Sequence, residues 1–236
     1  MKISMMPEFD EYAPTYPELL HDPLRSQFAA DPIFFHERKW MVIRDFFVRH
    51  NLNIGTSTWL DVGCGQGQLL RVANGSFARA VGCDPSAAMI HSSHLAEVYH
   101  QPSEVELPFP SNTFDFVTAV CVYHHVHGAL RTTLTESIRR VLRPGGVFCM
   151  IEHNPWNPVT QRIVKRCPVD RDAELLPAST AHRLMRESGF QILNTTNFLF
   201  LPEVLYRRAA WLEKTLVHMP MGGQFAVFCR TGYACE

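Results

Sequence analysis

The chain has 236 residues, of which 46% are hydrophobic and 19% charged, so its composition excludes a disordered chain and suits a globular domain. It carries 22 lysines and arginines against 23 aspartates and glutamates, and without a basic surplus nonspecific binding to nucleic acid has little electrostatic drive. The seven cysteines are scattered and include no C-x-x-C pair, which argues against a disulfide framework and against structural zinc.

No apolar run approaches the ~20 residues of a membrane-spanning helix. Residues 1–20 contain acids, tyrosines and prolines and lack the apolar segment of a signal peptide. We therefore expect a cytoplasmic protein with reduced thiols, no membrane span and no nucleic-acid partner.

The first 50 residues are punctuated by proline, and residues 1–30 predict irregular structure. Asp31 and Pro32 are typical of a helix start, and apolar residues at helical spacing then predict a helix over 32–49. From residue 58 onward, strands alternate with helices, which predicts an α/β fold with a doubly wound, parallel sheet. The predicted strands cover 58–62, 78–83, 113–120, 147–152, 190–198 and 224–230.

The predicted helices alternate with these strands. Two of the segments that connect the predicted elements have distinctive sequences. Residues 143–146 (R-P-G-G) predict a turn, and residues 154–178 form a polar, proline-rich stretch that is typical of a substrate-binding loop. The helices themselves are expected after the glycine loop at 63–67, after 84–86, and over 130–142, 179–188 and 204–216.

A glycine loop follows the first strand and is the most informative segment of the chain. Gly63, Gly65 and Gly67 alternate with other residues directly after Asp61, which allows a ligand to approach the backbone closely. The helix that follows offers free N–H groups at its N-terminus. In a parallel sheet, ligands bind in this crevice between strand and helix.

Asp84 ends the second predicted strand, next to the glycine loop. A carboxylate at this point can accept hydrogen bonds from both hydroxyls of a ribose, each contributing about 1.5–3 kcal/mol. The loop and the acid together predict a cofactor that contains a nucleoside. The spacing G-x-G-x-G differs from the G-x-G-x-x-G of nicotinamide-binding proteins, and no phosphate-binding lysine follows.

Four segments in this order resemble the class I S-adenosylmethionine-dependent methyltransferases, in particular the small-molecule branch related to ubiquinone and menaquinone biosynthesis. The resemblance is firm over 58–152 and weaker over 9–50 and 153–230. It implies a Rossmann-like, mostly parallel seven-stranded sheet with the last strand antiparallel. The segments are D-V-G-C-G-Q-G at 61–67, V-G-C-D-P-S at 81–86, L-P-F-P-S-N-T-F-D at 107–115 and V-L-R-P-G-G at 141–146.

The resemblance also implies one domain in three parts: a helical N-terminal cap at 1–50, a cofactor-binding core at 51–152, and substrate-side segments with the final strands at 153–236. The implied cofactor is S-adenosylmethionine, with S-adenosylhomocysteine as product and a small molecule as methyl acceptor. The residues implied to line its methionine part are Asp61, Gly63, Cys64, Gly65, Gly67, Cys121 and Val122.

The nucleoside and the lid have their own implied residues. Asp84 would hold the ribose, with Pro85 and Ser86 beside the adenine. Family members usually place an acid four residues before the L-P-F element, where this chain has Ser103, followed by Glu104. Either residue, or backbone groups, would then meet the adenine. Tyr16 matches a lid tyrosine whose hydroxyl can bond the cofactor, although it can equally anchor the helical cap.

Two polar clusters follow the fourth and fifth strands, where a methyl acceptor would lie. His124 and His125 belong to the first cluster, and Glu152 and His153 to the second. A histidine at such a place can take a proton from the acceptor if the reaction releases one. We expect no metal here, because no acid or cysteine has ligand spacing with these histidines.

Two other functions remain open on the sequence. An NAD-dependent oxidoreductase would use the same glycine loop and acid for a dinucleotide. A sensor or scaffold would bind S-adenosylmethionine without catalysis.

Overall fold

A computed structural model describes residues 8–95 and 97–232. All its strands form a single seven-stranded sheet with the order β3-β2-β1-β4-β5-β7-β6. The strands are β1 (Thr58–Val62), β2 (Arg79–Asp84), β3 (Val98–His100), β4 (Phe114–Val120), β5 (Leu142–His153), β6 (Phe190–Phe198) and β7 (Gln224–Thr231).

The sheet is parallel except for its last strand, which confirms the expected fold class. β7 lies between β5 and β6 and is antiparallel to both. The order reverses direction between β1 and β4, which are adjacent although β2 and β3 separate them in the chain. This reversal opens a crevice at the carboxyl ends of β1 and β4.

Helices cover both faces of the sheet. Within the two described ranges, none has the length and apolar character that crossing a bilayer requires. The helices are α1 (Glu8–Tyr12), α2 (Tyr16–Leu19), α3 (Pro23–Phe28), α4 (Ile33–Arg49), α5 (Gln68–Val72), α6 (Ala87–Ser93), α7 (Arg131–Val141), α8 (Pro158–Arg166), α9 (Ala178–Glu187) and α10 (Glu203–Leu216).

The N-terminal region is more regular than its prolines indicated. Residues 8–28 form three short helices and a 3-10 turn, where irregular structure was predicted. Proline fits the first turn of a helix, because the N–H that it lacks has no helical partner there. Asp22 shows this use: Pro23 begins α3, and the Asp22 side chain accepts hydrogen bonds from the amides of Leu24 and Arg25.

Three further local predictions were wrong or incomplete. Strand β3 was missed, because it has only three residues and no buried alternation. The predicted turn at 143–146 lies inside β5, where a bulge against β4 absorbs it. The stretch 154–178 contains helix α8. Asn157 caps the start of this helix, because its side chain accepts hydrogen bonds from the amides of Val159 and Thr160.

Two apolar layers hold the helices on the sheet. Along β1, Trp59 packs into one layer and Leu60 into the other, as the alternation of a strand requires. The same alternation repeats along β4, where Phe116 and Val117 are both completely buried. Because both faces are covered, polar side chains of these strands reach solvent or ligand only at the strand ends.

A buried ion pair fastens the cap helix α4 to α10. Arg38 contacts Glu213 at 2.5 Å, and both side chains are almost fully buried. The guanidinium also lies 3.6 Å over the ring of Tyr206, and the same Glu213 oxygen accepts the amide of Leu199. Each charge therefore has more than one partner, while Arg38 Nε and Glu213 Oε2 are buried without a hydrogen bond among the described residues.

Glu213→Ala removes one partner of this pair and leaves the Arg38 charge buried. We expect a loss of about 3–5 kcal/mol in the free energy of unfolding, measured by urea denaturation. The control is Glu97→Ala, which breaks the half-exposed Arg79–Glu97 pair and should cost below about 1 kcal/mol. Equal losses in the two variants would contradict this role for the buried pair.

Candidate functional site

A cavity of about 420 Å³ opens at the carboxyl ends of β1, β2, β4 and β5. Its floor is the glycine loop and these strand ends, and its roof consists of the N-terminal helices and α8. Since parallel strands all end at the same edge of the sheet, residues far apart in the sequence meet here.

The glycine loop forms one wall of the cavity. Gly63 has a φ of +65°, and a Cβ added to it would lie 2.5 Å from a methyl group of Val122. Gly65 has a φ of +52° and faces open space in the cavity. Any side chain at these two positions would strain the backbone, and at Gly63 it would also collide with β4's end. Gly67 does not line the cavity and instead begins α5 against Leu95.

Asp84 joins the glycine loop to the start of α6. Its two carboxylate oxygens accept from the amides of Gly65 and Ser86, both at 2.8 Å. Burial raises the pKa of Asp84 to about 6, because it outweighs the two amides that lower it. Each oxygen keeps a lone pair that can face the cavity.

Asp61 lies below the loop at the end of β1. Its carboxylate accepts a 2.6 Å hydrogen bond from the hydroxyl of Thr118, which in turn accepts from the indole of Trp59. Burial raises the pKa of Asp61 to about 7, against the opposing effects of Thr118 and the Lys39 charge. The environment therefore favours a cation next to this carboxylate.

Lys39 lines the cavity, although the sequence analysis did not predict it as a site residue. It lies on α4, only 7% exposed, and its positive charge acts on both Asp61 and Cys121. Among the described residues no carboxylate lies within ion-pair distance of its ammonium. A buried charge is stabilised by an opposite charge, so the cavity has a place for an anionic group.

Cys121 directly follows β4 and has a left-handed conformation, with φ of +58°. Its sulfur accepts from the Gln224 amide at 3.2 Å. Burial alone would raise the pKa of Cys121, but the nearby Lys39 and His153 lower it to about 7. Val122, the next residue, also lines the cavity.

The N-terminal helices close over the cavity through Asp10 and two aromatic rings. One Asp10 oxygen accepts from the Ser86 hydroxyl at 2.6 Å and from the Ala88 amide at 3.1 Å, which attaches α1 to α6. Phe9 lies between Tyr16 and His125, and all three side chains line the cavity. Burial raises the pKa of Tyr16 well above its usual range.

The residues expected near adenine are only partly on the cavity wall. Pro85 and Glu104 line it, whereas Ser86 and Ser103 do not. The Ser103 hydroxyl accepts from the Glu106 amide, so it stabilises its own turn. Gln101, which the sequence reading missed, is buried and lines the cavity instead.

Glu152 and His124 form a buried pair at the cavity, in which His124 lines the wall and Glu152 lies behind it. One Glu152 oxygen contacts His124 Nδ1 at 2.5 Å, and the other accepts from the amides of Val122 and Tyr123. Burial alone would lower the pKa of His124, but the Glu152 carboxylate raises it to about 10. Glu152 has no exposed surface and does not reach the cavity.

An acid from a distant segment completes this cluster. Asp170, in a 3-10 turn after α8, places one oxygen 3.6 Å from His124 Nε2 and 3.4 Å from His125 Nε2. His153, at the end of β5, stacks near His124 with 5.2 Å between ring centroids and lines the cavity. The four residues expected to be catalytic thus lie together, although only the three histidines face the cavity.

The comparisons with known proteins agree with this architecture. A family model described as a methyltransferase domain matches residues 60–150. An uncharacterised methyltransferase of Synechocystis is 31% identical over 42% of this chain and 48% of its own. Demethylmenaquinone methyltransferase of Bacillus licheniformis is 36% identical over 42% of this chain and 46% of its own length. The chain spans about half the length of the curated relatives it matches.

Solved structures share the fold at low sequence identity. A SAM-dependent methyltransferase from Archaeoglobus fulgidus has a TM-score of 0.60 at 16% identity and covers 85% of this chain and 100% of its own. An S-adenosylmethionine-dependent methyltransferase from Mesorhizobium loti has a TM-score of 0.56 at 20% identity, and the match covers 78% of this chain and 95% of its own. Residues 60–150 therefore match the methyltransferase-domain family, and the chain has the fold of these S-adenosylmethionine-dependent methyltransferases.

Proposed function

We propose that this protein transfers a methyl group from S-adenosylmethionine to the oxygen, nitrogen or carbon of a small molecule. The observation that carries the proposal is that one cavity is lined by two buried groups of opposite charge, Asp84 beside the glycine loop and Lys39 near Asp61. Together they complement the two polar ends of the cofactor, its ribose and its amino acid.

The nucleoside would lie between the glycine loop and β2. Asp84 is already fixed by two backbone amides, so its remaining lone pairs would be available to the ribose hydroxyls without rearrangement of the side chain. Pro85, Gln101 and Glu104 would surround the adenine, since they line the cavity and Pro85 and Gln101 adjoin Asp84 through the chain and a backbone hydrogen bond. Tyr16 would cover the cofactor from the lid side.

The methionine part would lie between the ends of β1 and β4. Its α-ammonium would pair with Asp61, because a cation beside this buried group would favour the ionised carboxylate against the effect of burial. Its α-carboxylate would pair with Lys39. NAD has no amino-acid group for these two residues, so the pair favours S-adenosylmethionine over a dinucleotide.

The acceptor would enter on the side of the histidines. Methyl transfer from a sulfonium needs chiefly alignment of the acceptor with the methyl group, which can contribute about 7–11 kcal/mol. His124 keeps its own proton, because of Glu152, so we assign proton acceptance to His153. Apolar side chains of the cap and α8 would surround the acceptor; they are Leu19, Leu20, Phe28, Phe35, Val159 and Ile163.

The net charge of -1 favours a small acceptor over nucleic acid, although one relative is named as a tRNA methyltransferase. We also propose a cytoplasmic location, because all six described cysteines are free thiols. The predicted set of reduced cysteines also included Cys235, which lies outside the described residues.

Asp84→Ala should weaken binding of S-adenosylhomocysteine by about two to three powers of ten, because two charge-assisted hydrogen bonds are lost. Isothermal titration calorimetry measures the change. The exposed Asp172→Ala is the control and should bind as the unchanged protein does. Unchanged affinity in Asp84→Ala, or tighter binding of NAD than of S-adenosylhomocysteine by the unchanged protein, would reject the proposal.

Lys39→Met should weaken S-adenosylhomocysteine binding by about tenfold to a hundredfold, since a charge-assisted contact to its carboxylate is lost. The same variant should bind 5′-methylthioadenosine as well as the unchanged protein does, because that ligand lacks the amino acid. Lys165→Met, on an exposed position of α8, is the matched control. Parallel losses for both ligands would show that Lys39 supports the fold and not the carboxylate.

Cofactor affinity should also depend on pH. Asp84 and Asp61 have pKa values raised to about 6 and about 7, so both carboxylates become neutral as the pH falls through this range. Affinity for S-adenosylhomocysteine should therefore decrease from about pH 8 to about pH 5.5, because the ionised forms bind the ligand. The part of the decrease near pH 6 should vanish in Asp84→Asn. A flat profile in the unchanged protein would refute the assignment.

A further inference from the structure

We propose that His124, His125 and Asp170 bind a divalent metal ion of the zinc class at the acceptor side of the cavity. The sequence predicted no metal, because no acid stands near the two histidines in the chain. The fold supplies the missing acid from the turn after α8.

The three ligand atoms have the spacing of a metal site. One imidazole nitrogen from each histidine and one carboxylate oxygen all lie within 4.8 Å of one another. Bonds of about 2.0–2.1 Å to a tetrahedral ion place neighbouring ligand atoms about 3.4 Å apart. The Asp170 oxygen lies 3.6 Å and 3.4 Å from the two nitrogens, which is longer than a good hydrogen bond and close to that spacing.

Glu152 occupies the place of an outer carboxylate. Histidines that bind a metal through one nitrogen usually hold a carboxylate or carbonyl with the other. His124 does so, because its Nδ1 contacts Glu152 and its Nε2 points to Asp170. With an ion bound, His124 would release its Nε2 proton to solvent and keep its Nδ1–H, which would donate a hydrogen bond to Glu152, and the ion would supply the positive charge between the two carboxylates.

The backbone fixes the cluster before any ion binds. The amide of Glu174 donates to the carbonyl of His124 at 2.8 Å, which joins the histidine loop to the segment after Asp170. Arg131 Nε donates to the carbonyls of Tyr123 and Val126 on the same loop. Such preorganisation is typical of ligand sites.

The fourth coordination position would face the cavity, since all three ligand residues line it. Two imidazoles and one carboxylate with an open position make the donor set of a catalytic zinc site. An acceptor hydroxyl bound there would lose its proton more easily. Its oxygen would attack the methyl carbon, the carbon–sulfur bond would break with its electron pair left on sulfur, and His153 would take the proton. This role, unlike the ion binding itself, rests on the proposed methyl transfer.

The test measures zinc binding directly. Protein stripped with a chelator and free of affinity tags is titrated with Zn²⁺ against a competing dye, and Co²⁺ substitution is followed by visible absorption. We expect one ion per chain and tetrahedral Co²⁺ bands. Asp170→Asn and His125→Asn should each weaken Zn²⁺ binding by at least about tenfold to a hundredfold. His127→Asn, an exposed neighbour outside the cavity, should leave it unchanged.

Binding of S-adenosylhomocysteine to each variant separates the possible failures. Retained cofactor binding shows that the Asp170 and His125 variants are folded, so their loss of zinc is local. If the unchanged protein binds no more zinc than the two ligand variants do, the metal site is refuted and the cluster only holds a proton. If zinc binds and S-adenosylhomocysteine does not, the metal site stands and the proposed methyl transfer fails.

Discussion

The architecture of the site depends on the cost of burying charge at the carboxyl edge of the sheet. Asp61, Asp84 and Glu152 lie at the ends of three strands and are almost completely buried. A buried carboxylate is tolerated only when amides, hydroxyls or cations surround it. Thr118 donates a hydrogen bond to Asp61, and backbone amides donate to Asp84 and Glu152. Glu152 also pairs with His124. These requirements fix the loops that follow the strands.

The cap is part of the same charge balance. It brings Lys39 opposite Asp61, and it brings Asp10 onto the start of α6, where the free amides attract an anion. The Arg38–Glu213 pair holds α4 on α10, and Lys39 is the next residue of the same helix, so its position depends on that buried contact. The stability of the fold and the proposed binding of the cofactor carboxylate by Lys39 are therefore coupled through α4.

The cavity divides into two chemically different halves. The half above β1 and β2 offers carboxylates and backbone amides, which suit a nucleoside and an amino acid. The other half combines three histidines and Asp170 with the apolar side chains of the cap and α8. This contrast suits the proposed methyl transfer, in which one substrate would be a sulfonium cation and the acceptor would expose a nucleophile in a dry environment.

The sequence alone determined the sheet class, the glycine loop and the acid that follows it, because these depend on local periodicity and on residues that are close in the chain. It missed β3, which is too short to show a period, and it placed Ser103 at a cavity wall that Gln101 occupies. Lys39 and Asp170 were decided only by the tertiary structure. Lys39 belongs to a segment with an ordinary helical pattern, and Asp170 belongs to a polar segment. Neither pattern indicates a site, because only packing brings these charges next to groups that are distant in the sequence.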